Sequence, residues 1–228
     1  LFQSGHQEQD GLAEHVCTLS VVANWNLVTI SGFSALVTVG GELEIREGLS
    51  LERIEGFEAL QQAKGIAIRD NHALISITGL NALTSLITGL NISNNTSLET
   101  LNGLGQLQEI GTSLTIRGNA SLTSLSWLSS LQYVDNSIFI DDNDSLISLD
   151  ALGLLTRVDK DLSITDNDSL VRLDGFSELG TVGETLELDG NSQLASISFP
   201  ALTSVGNLIL ERNSALTELW LPSMIRVY

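Results

Sequence analysis

Leu90-Asn91-Ile92-Ser93-Asn94-Asn95-Thr96-Ser97-Leu98 returns as Leu114-Thr115-Ile116-Arg117-Gly118-Asn119-Ala120-Ser121-Leu122 and again as Leu162-Ser163-Ile164-Thr165-Asp166-Asn167-Asp168-Ser169-Leu170. Working outward from these segments, nine units can be aligned, starting at Leu19, Leu43, Ile66, Leu90, Leu114, Ile138, Leu162, Leu186 and Leu208, at steps of 22 to 24 residues. A fixed period in this range means stacked coils rather than one globular core. In such a chain the residues that break the pattern are the ones to examine for function.

Each unit opens with apolar residues at its first and third positions, the alternation of a short strand with one face inward. Apolar residues then recur every third position, as in Leu122, Leu125, Leu128, Leu131 and Val134. A spacing of three suits neither a 3.6-residue helix nor a strand over this length. It suits a chain that bends around a core through short strands or 3₁₀ turns. Asn occupies the sixth position in eight units: Asn24, Asn71, Asn95, Asn119, Asn143, Asn167, Asn191 and Asn213; the other unit has Gly48. Asn and Gly tolerate the left-handed region best, so the sixth position is expected to be a bend of positive φ. Stacked Asn amides are also expected to bond from coil to coil, with Gly48 keeping the bend and losing the ladder. The predicted fold is an all-β, right-handed parallel β-helix or leucine-rich-repeat-like solenoid of about nine coils, about 40 Å long at ~4.8 Å per coil. One domain is expected over residues 19–228, preceded by an N-terminal cap at 6–18. Leu1-Phe2-Gln3-Ser4-Gly5 reads as the remnant of a tag site.

These residues resemble a receptor L domain. The resemblance rests on the Leu-x-Ile strands, the Asn-x-Ser-Leu step (Asn119-Ala120-Ser121-Leu122) and Phe199-Pro200-Ala201-Leu202-Thr203-Ser204-Val205-Gly206. It covers roughly Leu19 to Val227. That family includes the paired ligand-binding domains of insulin- and EGF-type receptors and many microbial surface proteins. The chain has one cysteine, Cys17, and so lacks the disulfides of the animal receptors; it is closer to the microbial members. The resemblance implies an extracellular or cell-surface recognition or adhesion module with a protein or glycan ligand.

Composition narrows the partners. The formal net charge is −18, with only two lysines, Lys64 and Lys160. Nucleic acid and anionic membranes need a basic patch and are not expected. No apolar run is long enough for a membrane-spanning helix. Cys17 is expected to be a buried free thiol. The last coil ends without a polar cap, so continuation of the chain or end-to-end self-association is expected there.

The candidate site residues depart from their columns. The outward fourth strand position reads Arg46, Arg69, Ser93, Arg117 and then Asp141, Thr165, Asp189, Glu211, a gradient of charge able to orient a polar ligand. Residues 137–191 hold thirteen acidic and three basic side chains. Within them Asp142 stacks on Asp166 and Asp144 on Asp168 in the alignment. Carboxylates so placed are the candidate calcium ligands, although no EF-hand or nine-residue calcium repeat is present. No other cofactor is expected. Trp127 stands in a column otherwise occupied by Gly32, Gly56, Gly79, Gly103, Ala151 and Gly175, where it either projects outward or packs locally against a neighbouring side chain. Phe139 stands at an outward strand position, with Tyr133 shortly before it. Exposed aromatics commonly anchor interfaces.

Thr29/Ser31, Ser76/Thr78, Ser124/Ser126 and Ser196/Ser198 form a hydroxyl array, the weak basis for an ice-binding alternative, interrupted by Arg53, Glu55, Arg172 and Asp174. Six N-x-Ser/Thr sequons occur, at Asn91, Asn94, Asn95, Asn119, Asn143 and Asn167; four belong to the Asn column, leaving Asn91 and Asn94 for a glycan. A β-helix polysaccharide-active enzyme is a further alternative, since clustered Asp with Arg suits acid–base chemistry. Uniform coils without long loops, and histidines (His6, His15, His72) unpaired with any nucleophile, favour recognition without catalysis. A structural spacer within a larger surface protein is the remaining alternative.

Overall fold

The computed structural model describes residues 17–228. The tag remnant and residues 6–16 of the expected cap lie outside the described residues. The chain winds as a parallel β-solenoid of about nine coils, with three faces. On the first face one strand from each coil lies in register with the next. Leu19 pairs with Leu43, Leu43 with Ile66, Ile66 with Leu90, and so on through Leu186 with Leu208. The pairing reproduces the unit alignment residue for residue, because slipping a strand by one position would send its Leu and Ile side chains into solvent.

The second face carries Thr29–Ile30, Arg53–Ile54, Ser76–Thr78 and Thr100–Asn102, and farther along Arg172–Leu173, Ser196–Ser198 and Glu218–Trp220. The third face carries short strands such as Ser85–Leu86, Glu109–Ile110, Tyr133–Val134 and Arg157–Val158. Near both ends the strand continues around the corner from the third face into the first, as Thr38–Arg46, Gln62–Arg69, Thr181–Asp189 and Ser204–Glu211. These continuous strands merge the first and third faces into one 14-stranded sheet. Among the described residues no helix is long and apolar enough to cross a membrane.

The core is one cluster of Leu, Ile and Val running the length of the solenoid, and the every-third-residue series Leu122, Leu125, Leu128, Leu131, Val134 is buried throughout. Aromatic rings reinforce it toward the ends. Phe33 stacks on Phe57 at 4.9 Å and Phe176 on Phe199 at 5.3 Å. In the last coil Leu208, Leu210, Leu216, Leu221 and Met224 are only partly buried, and Leu219, Trp220, Ile225, Val227 and Tyr228 are exposed.

The Asn column forms the expected ladder. Asn71, Asn95, Asn119, Asn143, Asn167 and Asn191 are fully buried. Asn95 is representative. Its Nδ2 donates to Ile68 O at 2.9 Å in the coil before and to Asn119 Oδ1 at 3.4 Å in the coil after. Its Oδ1 accepts from the Asn71 backbone N–H and Nδ2, both at 3.2 Å. Gly48 is not a complete gap: its N–H donates to Asn71 Oδ1 at 3.0 Å. What is lost is an acceptor for Asn24, whose Nδ2 among the described residues donates to Val22 O in its own coil.

The bend, however, lies one residue earlier than expected. Positive φ falls at the fifth position of all nine coils: Ala23, Glu47, Asp70, Asn94, Gly118, Asp142, Asp166, Gly190 and Arg212. The reason is orientation. The sixth side chain has to point inward to reach its neighbours, so the left-handed step that turns the chain inward precedes it. There the side chain faces outward and Asp, Asn or Gly is tolerated. Cys17 also departs from expectation. It is exposed, because it precedes the first inward strand position and only its carbonyl is engaged, by Gly41 N–H at 2.9 Å.

Candidate ligand-binding surface

The expected site residues do not share one surface. Arg46, Arg69, Arg117, Phe139 and Asp141 stand on the first face, Tyr133 on the third, and Trp127 on the second, where it is buried at 4% exposure. Of the two expectations for Trp127, outward projection is therefore overturned. Gly32, Gly56 and Gly79 turn the chain at φ of +92°, +86° and +88°, a conformation disfavoured for Trp127 and Ala151, but Gly103 and Gly175 in the same column do not adopt it, so the left-handed corner is already abandoned one coil before Trp127. The chain instead rounds this corner through two 3₁₀ turns, Ser126–Leu128 and Asp150–Leu152, and the first folds the indole inward. The Trp127 Nε1 is buried with no hydrogen-bond partner. The second-face strands shrink here to a single bridge between Ser124 and Ser148.

On the first face the fourth-position column is continuous from Arg46 to Glu211, as expected. The gradient is, however, largely neutralised by pairing between adjacent coils. Glu44 Oε1 accepts from Arg46 Nε at 2.8 Å and Arg69 Nη2 at 2.9 Å, and Ser20 Oγ donates to Glu44 Oε2 at 3.0 Å. Burial alone would raise the Glu44 carboxyl, but the bonds from Arg46, Ser20 and Arg69 hold it below its ordinary value. Asp141 is held by Arg117 Nε at 3.0 Å and Thr165 Oγ1 at 2.8 Å. Asp189 is held by Arg212, which lowers its carboxyl. Glu44 was not singled out by sequence, although a carboxylate two residues from Arg46 and diagonal to Arg69 is a legible signal.

Pairing lapses in the middle of this face. Arg69 Nε and Asn91 Oδ1 are buried without hydrogen-bond partners. Arg117, one coil beyond Asn91, is 63% exposed beside its single carboxylate. Phe139 aligns with Thr115 and Ser163 across the sheet and is 37% exposed, as its column predicts. On the third face Tyr133 lies under the Arg157 guanidinium at 4.5 Å and accepts its hydrogen bond; Asp159 pairs with Arg157 at 3.0 Å. A hydrogen bond to Asp135 raises the Tyr133 phenol above its ordinary value.

Asp142, Asp144, Asp166 and Asp168 are all exposed at the bend edge. Among the described residues no group of three or more His, Cys, Asp or Glu side chains is arranged to hold a metal ion. The Asp166 carboxylate leans over the next coil, occupying the space a Cβ on Gly190 would need. No protein-family model matches the chain, and no curated protein or solved structure matches it either.

Proposed function

We propose that this chain is an extracellular recognition module that binds a protein partner through the middle of its first face, with no catalytic step. The observation that carries this reading is the exposed Phe139 ring one strand from the Arg117 guanidinium, which is 63% exposed although it pairs with Asp141. A flat parallel sheet suits a broad partner surface, and an aromatic beside arginines is the composition of an interface anchor. The resemblance to receptor L domains supports the compartment.

The partner chemistry follows from charge. A net charge of −18 repels acidic partners at long range. Docking that brings a carboxylate to Arg117 and an apolar side chain to Phe139 is locally complementary, so specificity comes from register on this patch. Glu44 and Asp189, held below their ordinary values by arginines, are weak proton acceptors.

The test is an array of cell-surface proteins probed with wild type, Phe139→Ala and Arg117→Ala. Partners of wild type should bind each variant at least about tenfold more weakly, equivalent to 1.4 kcal/mol. Partners that bind all three equally would refute this surface.

A further inference from the structure

The corner where Trp127 and Ala151 replace glycine leaves a cleft of ≈ 380 Å³ on the second face, between the two 3₁₀ turns and open to solvent. Its size falls at the lower end of the ~300–1,000 Å³ usual for small-ligand sites. Coil 5 contributes Ser124, Leu125 and Ser126; coil 6 contributes Ile147, Ser148 and Asp150. The lining surface is mostly apolar, and Ile147 is 59% exposed.

The polar groups are specifically disposed. Ser124 Oγ accepts from the Ser126 N–H at 3.1 Å, and Ser148 Oγ accepts from the Asp150 N–H at 3.0 Å. Each hydroxyl thus spends a lone pair on its own turn and keeps its O–H to donate. Asp150 supplies an exposed carboxylate, which only accepts. We propose that this cleft is a binding site for a neutral carbohydrate ring, with its C–H face on Ile147 and its hydroxyls bonded to Asp150, Ser124 and Ser148.

Other ligand classes fit less well. A divalent cation needs several oxygen ligands of the carboxylate kind, and the cleft has one carboxylate. An anion meets Asp150 and the acidic chain. A peptide strand needs a free sheet edge, whereas Ser124 and Ser148 already pair with one another. The proposal is independent of the first-face reading, since the cleft lies on another face.

The test reads binding by titration calorimetry, with the fluorescence of Trp127, next in sequence to the lining residue Ser126, as a second readout. Trp25 and Trp220 are exposed, at 62% and 56%, and are replaced by Phe so that fluorescence reports Trp127 alone. Glucose, galactose, mannose, N-acetylglucosamine and their short oligomers are titrated into this protein. Saturable binding is expected for at least one of them. Asp150→Asn and Ile147→Ser should each weaken it tenfold or more at unchanged melting temperature, and Phe139→Ala should leave it unchanged. Absence of saturable binding at millimolar sugar overturns the proposal. Binding that both cleft variants leave intact overturns it too, because the sugar then sits elsewhere. Loss of protein partners in Phe139→Ala with sugar binding retained would separate the two surfaces.

Discussion

Asn119→Ala is the most demanding test of how this solenoid holds together. Asn119 Oδ1 accepts from the Asn95 backbone N–H at 3.2 Å and from Asn95 Nδ2 at 3.4 Å. Its Nδ2 donates to Ile92 O at 2.9 Å and Asn143 Oδ1 at 3.2 Å. Alanine removes all four bonds. Asn143 Oδ1 keeps the Asn119 backbone N–H, and Asn95 Nδ2 keeps Ile68 O. The Asn95 N–H and the Ile92 carbonyl lose their side-chain partner in a fully buried column. An orphaned buried polar group costs about 1–3 kcal/mol, so the substitution should cost about 3–5 kcal/mol. Asn24→Ala is the internal control: among the described residues the exposed Asn24 side chain makes one bond, within its own coil, so its loss should cost about 0.5 kcal/mol or less. Asn119→Asp separates hydrogen bonding from volume. It keeps the size and the acceptor, but loses the donors and buries a charge, and should be at least as destabilising as alanine. Urea unfolding followed by circular dichroism measures all three. An Asn119→Ala cost below about 1 kcal/mol, or one equal to that of Asn24→Ala, would refute the view that the ladder binds coil to coil.

Ala23 carries φ of +54° without a favourable side chain, and left-handed geometry costs a non-glycine residue roughly 1–2 kcal/mol. Ala23→Gly should therefore raise stability by about 0.5–1 kcal/mol after the glycine entropy is subtracted, read as a higher urea midpoint. Glu44 and Asp189 are held below their ordinary values of 4.5 and 3.8. A lowered carboxyl stabilises the fold above its ordinary value and loses that contribution as pH falls through the folded one. Melting temperature should thus decline as pH drops below those values, and Glu44→Gln should flatten the decline; an unchanged slope would contradict the pairing. Of the six sequons, Asn95, Asn119, Asn143 and Asn167 are fully buried and Asn91 is half-buried. Asn94 is exposed, its Nδ2 held by Asp70 at 2.9 Å. In a glycosylating host, mass spectrometry of the folded protein should find glycan on Asn94, and glycan on Asn143 would contradict the ladder.

Periodicity alone determined the coil number, the inward columns, the strand register and the Asn ladder. Each of these follows from a repeated requirement to bury Leu and Ile and to satisfy an amide, and a repeat displays the same requirement nine times. Phe139 was legible for the same reason, as an aromatic in an outward column. The left-handed bend was visible only in part. Asp70, Asn94, Gly118, Asp142, Asp166 and Gly190 mark the fifth position, but the choice between it and the Asn beside it turns on which side chain faces inward. The tertiary structure alone decided the fate of Trp127. Its departure from a glycine column was plain in the sequence, but whether the indole points out or in depended on the local path of the backbone, and the 3₁₀ turn Ser126–Leu128 buries the ring. The charge column was legible only in part, since Glu44 stands two residues from Arg46 in the sequence while the other pairs cross between strands. Arg46, Arg69 and Arg117 are a gradient when written in a row. Arg69 and Arg117 become ion-paired only when Glu44 and Asp141 lie one strand away, because their strength depends on a few ångströms of diagonal reach that the linear order does not contain.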